Sequence, residues 1–142
     1  MPPIAEIASD QFRRRQANAA ALVAAGKLDR KAAEALLLPW LAIACRTGAV
    51  LPELEPLLGA FPVLFGRSLT EPERRAIGAD ELCTPARCAA QIATARDAAL
   101  TVAHTPEALD RARDLVRLAR HFNAPPIRSA PAAPQNSETK AA

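Results

Sequence analysis

Apolar residues recur at intervals of three and four along most of this chain, which is the spacing of one face of an α-helix. The spacing is clearest near the C-terminal end of the apolar part, at Leu109, Ala112, Leu115, Val116, Ala119 and Phe122. A second stripe precedes it, at Cys88, Ile92, Ala95, Ala99 and Val102. Alanine, the strongest helix former, is abundant and β-branched residues are scarce, which disfavours a sheet. The sequence therefore predicts an all-α fold.

Two long helices joined by a tight turn are predicted in residues 9–47. The first begins near Ser9, or earlier after Pro2 and Pro3, and ends at Gly26, because glycine readily takes the left-handed conformation that follows a helix. Its expected buried face holds Phe12, Ala19, Leu22 and Val23.

The second helix of this hairpin is predicted from Arg30 toward Thr47. Asp29 is its expected N-cap, and Gly48 ends it. Pro39 lies inside and is expected to kink or divide the helix, because proline lacks an N–H and clashes with the preceding turn.

Threonine caps predict where three later helices begin. Thr84 and Thr105 are each followed by proline, which is the favoured first residue of a helix. Thr70 has capping-box spacing to Glu73 and predicts a helix over residues 71–77. Prolines and glycines cut residues 49–78 into short pieces, whose apolar side chains are expected to pack across the long helices: Leu54, Leu57, Leu58, Phe61, Val63, Leu64 and Phe65.

The composition changes after Asn123 to mostly Ala, Pro, Ser, Gln and Thr. Such a segment buries too little apolar surface to offset its ordering entropy. We therefore expect a helical domain over residues 1–123 and a disordered tail over residues 124–142. The domain should be a compact bundle of about four long helices, with short helical turns between the second and the third.

The charge, the apolar runs and the cysteine content indicate which partners and which cellular compartment to expect. The net charge is +3, from 18 basic and 15 acidic residues, which permits nucleic-acid binding without indicating it. No segment has the order of a signal peptide, and the longest apolar run, residues 35–45, is too short to span a bilayer. Three cysteines, an odd number, suit a reducing compartment. We expect a cytoplasmic protein without membrane contact.

Arg13, Arg14 and Arg15 form the densest basic cluster, although consecutive helical residues point about 100° apart. Arg13 and Arg14 are expected to face solvent, with Arg14 paired to Asp10. Arg15 falls at the edge of the apolar stripe without a helix-local acid. It therefore extends to solvent along the surface, finds a partner elsewhere in the fold, or serves a binding site.

Trp40 is either a core anchor behind Pro39 or an exposed contact for a partner. The predicted partner-binding residues combine these positions with the start of the second helix: Arg13, Arg14, Arg15, Arg30, Lys31 and Trp40. A nucleic-acid-binding alternative uses Arg13, Arg14, Arg30, Lys31, Arg74 and Arg75. The turn resembles that of a helix-turn-helix, but the second helix is too apolar to lie in a DNA groove.

The sequence gives little support for a catalytic, metal or cofactor site. Cys83, Cys88, His104 and His121 have the atoms for a zinc site, but four residues separate the cysteines instead of the usual two. The cysteines also occupy the two positions that touch in a hydrophobic staple around Thr84, and a disulfide between them is a third alternative. There is no metal or cofactor motif, no nucleophile motif and no glycine-rich phosphate loop. These observations favour a non-enzyme without a cofactor.

The sequence therefore predicts a small non-catalytic helical protein that binds another protein as an adaptor, inhibitor or assembly subunit. Its small size and its Ala- and Arg-rich composition suggest that a bacterial or phage mobile element encodes it. A nucleic-acid-binding accessory protein is the alternative.

Overall fold

The computed structural model describes residues 2–58, 63–64 and 67–127, and in them the fold is helical, as predicted. Its helices are α1 (Ile4–Ala24), α2 (Arg30–Thr47), α3 (Glu55–Leu58), α4 (Glu71–Leu82), α5 (Pro85–Thr101) and α6 (Pro106–His121). A 3₁₀ turn, Pro52–Leu54, precedes α3, and the short strands β1 (Val63–Leu64) and β2 (Arg67–Ser68) pair antiparallel. The expected four long helices are too few, because five of the described helices have 12 to 21 residues.

The chain divides into two compact units, Met1–Cys88 and Ala89–Ala142. In the first unit, α2 packs against α1 and α4, and α3 lies against α4. The second unit contains the remainder of α5 and all of α6. The predicted tail lies mostly in residues 128–142, outside the described residues, so its disorder stays a prediction.

Helix α1 begins after Pro3, the earlier of the two predicted starts, and Gly26 follows its C-cap with φ of +73°. Gly26 N–H donates to Val23 and Lys27 N–H donates to Leu22, which are the two bonds of a Schellman motif. The predicted end of the helix is therefore confirmed, and a side chain with a Cβ would strain it.

Helix α2 begins where predicted, with the Asp29 carboxylate accepting from Ala32 N–H at 2.8 Å. It continues through Pro39 to Thr47, so proline does not divide it. Gly48 follows with φ of +90°, and Ala49 N–H closes the end on Ala44.

The capping box of α4 is present: Thr70 Oγ1 accepts from Glu73 N–H, and Glu73 Oε1 accepts from Thr70 N–H. The helix nevertheless runs past its predicted end to Leu82, with Gly78 buried inside it. A Cβ on Gly78 would lie 3.0 Å from Leu57 Cγ, so glycine here allows α3 and α4 to approach closely. Packing explains this glycine, and helix termination does not.

The threonine caps of α5 and α6 are confirmed. Thr84 Oγ1 accepts from Arg87 N–H at 3.3 Å, and Thr105 Oγ1 accepts from Ala108 N–H at 3.1 Å. Asn123, with φ of +52°, closes the end of α6 as a glycine would.

Leu54 is buried as predicted for the segment after α2, and Leu57 and Leu58 are half-buried; Leu51, which was not among the predicted residues, is buried too. The predictions for Phe61 and Phe65 lie outside the described residues, and nothing is described of the Val63 and Leu64 side chains. Within the described chain, no single helix is both long and apolar enough to cross a membrane; residues 30–47 and 52–58 meet that test only jointly, across a bend of 91°.

Candidate functional site

Arg15 lies over the indole ring of Trp40, with its Cζ 3.7 Å from the ring centroid. Its Nη1 also donates to the side-chain oxygen of Gln11. Burial, and then the charge of Arg14, lower the pKa of Arg15 to about 10, so it remains a cation at neutral pH. Of the three alternatives for Arg15, the structure supports a partner inside the fold, through cation–π and hydrogen-bond contacts.

Trp40 is 2% exposed and Gln11 is 4% exposed. The indole therefore belongs to the core, which is the anchor alternative for Trp40. Trp40 was predicted to bind a partner, but in this conformation its side chain exposes almost no surface that a partner could contact.

Arg13 joins α1 to the 3₁₀ turn. Its guanidinium donates to both carboxylate oxygens of Glu53, at 2.6 and 3.1 Å, and Gln16 donates to the same carboxylate. The hydrogen bond from Arg13 is the main reason why the pKa of Glu53 falls to about 2. The side chain expected to face solvent is thus held by an acid 40 residues away.

Arg14, Arg30 and Lys31 are exposed, and none of them has a hydrogen bond or ion pair within the described residues. The expected pair between Arg14 and Asp10 is therefore absent. These three are the cations of the predicted binding sets that remain free for a partner.

Arg74 and Arg75, predicted for nucleic-acid binding, are both engaged. Arg74 donates to the carbonyl of Leu69 at 2.7 Å. Arg75 is 9% exposed and donates through Nη1 to the carbonyls of Cys45 and Ala49, each at 3.0 Å. Because these carbonyls lie at the C-terminus of α2, the guanidinium caps that helix and complements its dipole.

Arg46, which the sequence analysis missed, makes the reciprocal contact. It lies in the last turn of α2 and donates through Nη2 to the carbonyl of Cys83, which ends α4, and to Asp80. A cavity of about 550 Å³ lies beside the two arginines, with Gly48 and Glu71 in its wall. The partners of Arg46 lie 34 and 37 residues away, so no local spacing signals this pair.

Cys83 and Cys88 are free and buried, so the disulfide alternative is not formed, and Cys88 Sγ lies 4.0 Å from the Cys83 carbonyl. A staple contact between the two side chains stays a prediction. Burial is the main cause that raises the pKa of Cys88 to about 11. The thiol is therefore protonated at neutral pH and a weak nucleophile. No group of three metal-ligating side chains occurs among the described residues.

The structure departs from the predicted apolar faces at Val102, which is 62% exposed, and at the hairpin tip, defined here as residues 20–38. Ala33 is the one buried residue in this range. Leu22, expected on the buried face, is 41% exposed, and Leu36 and Leu38 are 55% and 40% exposed. The tip is thus an apolar helix pair covered by little of the described chain.

Arg96 is a second residue that the sequence analysis missed. It is 4% exposed and follows Cys88 and Ile92 at four-residue spacing, on the buried stripe of α5. The sequence did contain a signal for this residue: a helix normally places apolar side chains on its buried stripe, and an arginine in that stripe is unusual.

Comparison with protein-family models, with curated proteins and with solved structures finds no match to this chain.

Proposed function

We propose that this is a non-catalytic helical protein that binds another protein through the hairpin tip. The observation that carries the proposal is the exposure of Leu22, Leu36 and Leu38 on two neighbouring helices. Leu36 and Leu38 are two residues apart and point about 200° apart on α2, so the projection carries apolar surface on two sides. Exposed apolar surface marks interaction sites in folded proteins. Because each leucine is about half exposed, covering one contributes about 1 kcal/mol, and the three together contribute about 3 kcal/mol to a complex.

The remaining residues of the tip suggest what the partner looks like. Ala20, Ala21, Ala24 and Ala35 are exposed, and such small side chains allow a helix to approach closely. Arg30 and Lys31 lie at the start of α2 without an acidic partner among the described residues. A partner that encloses the projection from both sides with apolar side chains, and that places acidic residues near Arg30 and Lys31, fits this surface.

Affinity capture from the source cells tests the proposal with three forms of the protein. The test variant is Leu36→Glu with Leu38→Glu, since glutamate keeps helix propensity while it removes apolar surface. Val102→Glu is the matched control, because Val102 is 62% exposed and lies outside the tip. We expect a partner that the wild type and the control retain and the double variant loses. Equal capture by all three forms, or none by the wild type, contradicts the proposal.

Self-association is the competing use of the same surface, and sedimentation equilibrium separates the two. A wild-type dimer that the double variant dissociates, without any other captured protein, would assign the tip to a second copy and overturn the proposal of a different partner.

The nucleic-acid alternative rests on the three exposed and unpaired cations Arg14, Arg30 and Lys31. Three phosphate contacts on a DNA duplex predict a log–log salt slope of about −2.7. Titration of a labelled duplex at rising salt, with the triple alanine variant as control, measures that slope. Absence of binding at low salt removes this alternative.

A further inference from the structure

The unit Ala89–Ala142 contains a cavity of about 400 Å³ beside the buried Arg96. Its wall comes from α5, from the last turns of α6 and from the segment that follows α6. The volume falls in the range of small-molecule sites, and the hairpin tip contributes nothing to it.

The guanidinium of Arg96 is only partly compensated. Its Nε contacts Asp97 Oδ1 at 3.0 Å, while its Nη2 is buried without a hydrogen-bond partner. A buried donor without an acceptor destabilises the fold, and more so when it is charged. An acceptor that entered the cavity and reached this edge of the guanidinium would recover that loss.

The rest of the wall sets the character of such an acceptor. Arg120 and Asn123 add a second cation and an amide, whereas Val116 and Ile127 are apolar. We propose that this cavity binds a small monocarboxylate with an apolar body, its carboxylate on Arg96 and its body against the apolar wall.

The charges favour a carboxylate over a phosphate. Asp97 already places one anion beside Arg96, so a dianion would be repelled and would lose more hydration on entry. The planar fork of a guanidinium also matches a carboxylate, which accepts two parallel hydrogen bonds.

The carboxylate has two sources, a free small molecule or Glu138, which is the acidic side chain in residues 128–142. Both present the same group to Arg96. A Glu138→Gln variant distinguishes them, because it removes the carboxylate of the chain and leaves the cavity intact.

Benzoate and hexanoate are suitable probes, with benzyl alcohol as the neutral control and inorganic phosphate as the competing anion. Binding is measured on the full chain by ligand-induced change in Tm and by amide NMR shifts at Val116 and Asn123. We expect at least one of the two acids to bind, benzyl alcohol not to bind, and phosphate to bind at least tenfold more weakly. Tighter binding to Glu138→Gln than to the wild type assigns the occupant to the chain; equal binding assigns it to a free acid.

Substitutions locate the site. Arg96→Met should weaken acid binding at least tenfold, and Arg120→Met severalfold. Arg113→Met is the control, because this exposed arginine lies outside the cavity wall and should leave affinity unchanged. If Arg96→Met does not fold, the exposed Arg120→Met still decides the question. The proposal is overturned if neither acid binds the wild type or Glu138→Gln, if benzyl alcohol or phosphate binds as well as the acids, or if the Arg96 and Arg120 variants retain full affinity.

Discussion

Arg75 on α4 caps the C-terminus of α2, and Arg46 on α2 caps the C-terminus of α4. Arg75 donates to the carbonyls of Cys45, in the last turn of α2, and of Ala49, just after that helix, while Arg46 donates to the carbonyl of Cys83, the C-cap of α4. The two helices are therefore joined by a reciprocal pair of charged hydrogen bonds in addition to their apolar contact. Loss of either arginine should loosen the end of the other helix.

Arg75→Met should lower the free energy of unfolding by about 2 kcal/mol, because it removes the donor of the Ala49 carbonyl and one of the two donors of the Cys45 carbonyl, which also accepts from Gly48 N–H. Urea unfolding followed by circular dichroism measures the change. Arg111→Met is the control, since Arg111 is exposed and has no bond among the described residues, and it should change stability by less than about 0.5 kcal/mol. Equal stability of the two variants would disprove the capping role of Arg75.

The contact of Arg15 with Trp40 predicts energetic coupling between the two side chains. A double-mutant cycle with Arg15→Met and Trp40→Leu should give a coupling free energy of about 1 kcal/mol, since methionine keeps the apolar stem and removes the cation. The same cycle with Arg14→Met should give a value near zero, because Arg14 is exposed. Additive effects of Arg15→Met and Trp40→Leu would show that the stacking contributes nothing.

The Arg13–Glu53 pair predicts a dependence of stability on pH. The folded pKa of Glu53, about 2, lies below its ordinary value of 4.5, so the pair stabilises fully above pH 4.5 and this contribution is lost as pH falls toward 2. Because the side chains are 41% and 32% exposed, solvent reduces the effect to about 1 kcal/mol. Glu53→Gln should thus be less stable than the wild type at neutral pH and approach it in acid.

Glu55→Gln is the matched control for this measurement, since Glu55 is exposed and has no partner among the described residues. A stability difference between wild type and Glu53→Gln that stays constant from neutral pH to pH 2 would rule out the pair as its source.

The buried thiols predict slow chemical labelling. Cys45 and Cys88 are 0% exposed, and burial is the main cause that raises the pKa of each. A thiol reagent such as Ellman's reagent should react slowly with the native protein. In concentrated guanidinium chloride, which unfolds the protein, it should react with all three cysteines. Rapid native labelling would contradict the burial, and a single reactive thiol after unfolding would show a disulfide between Cys83 and Cys88.

Helix starts were predictable from the sequence because their determinants are local. Thr70, Thr84 and Thr105 each accept a backbone N–H three residues ahead. Gly26 and Gly48 likewise end their helices with bonds that close within five residues. Such contacts form in any conformation that contains the helix, so short spacings and residue type are sufficient to recognise them.

The partners of the arginines were not predictable in this way. Arg13, Arg46 and Arg75 bind groups 26 to 40 residues away, which come within reach only after the helices pack. Gly78 shows the same dependence, because the approach of Leu57 explains a glycine that looks like a helix end.

The residue order alone therefore specifies the helical class and most helix boundaries, through hydrogen bonds that span a few residues. Packing decides which charges are neutralised inside the fold and which apolar residues stay exposed. It places Trp40 under Arg15, leaves the leucines of the hairpin tip uncovered and buries Arg96 with an unpartnered donor. The reason is physical: the free energy of a charge or an apolar side chain depends on neighbours that the chain brings together only in three dimensions.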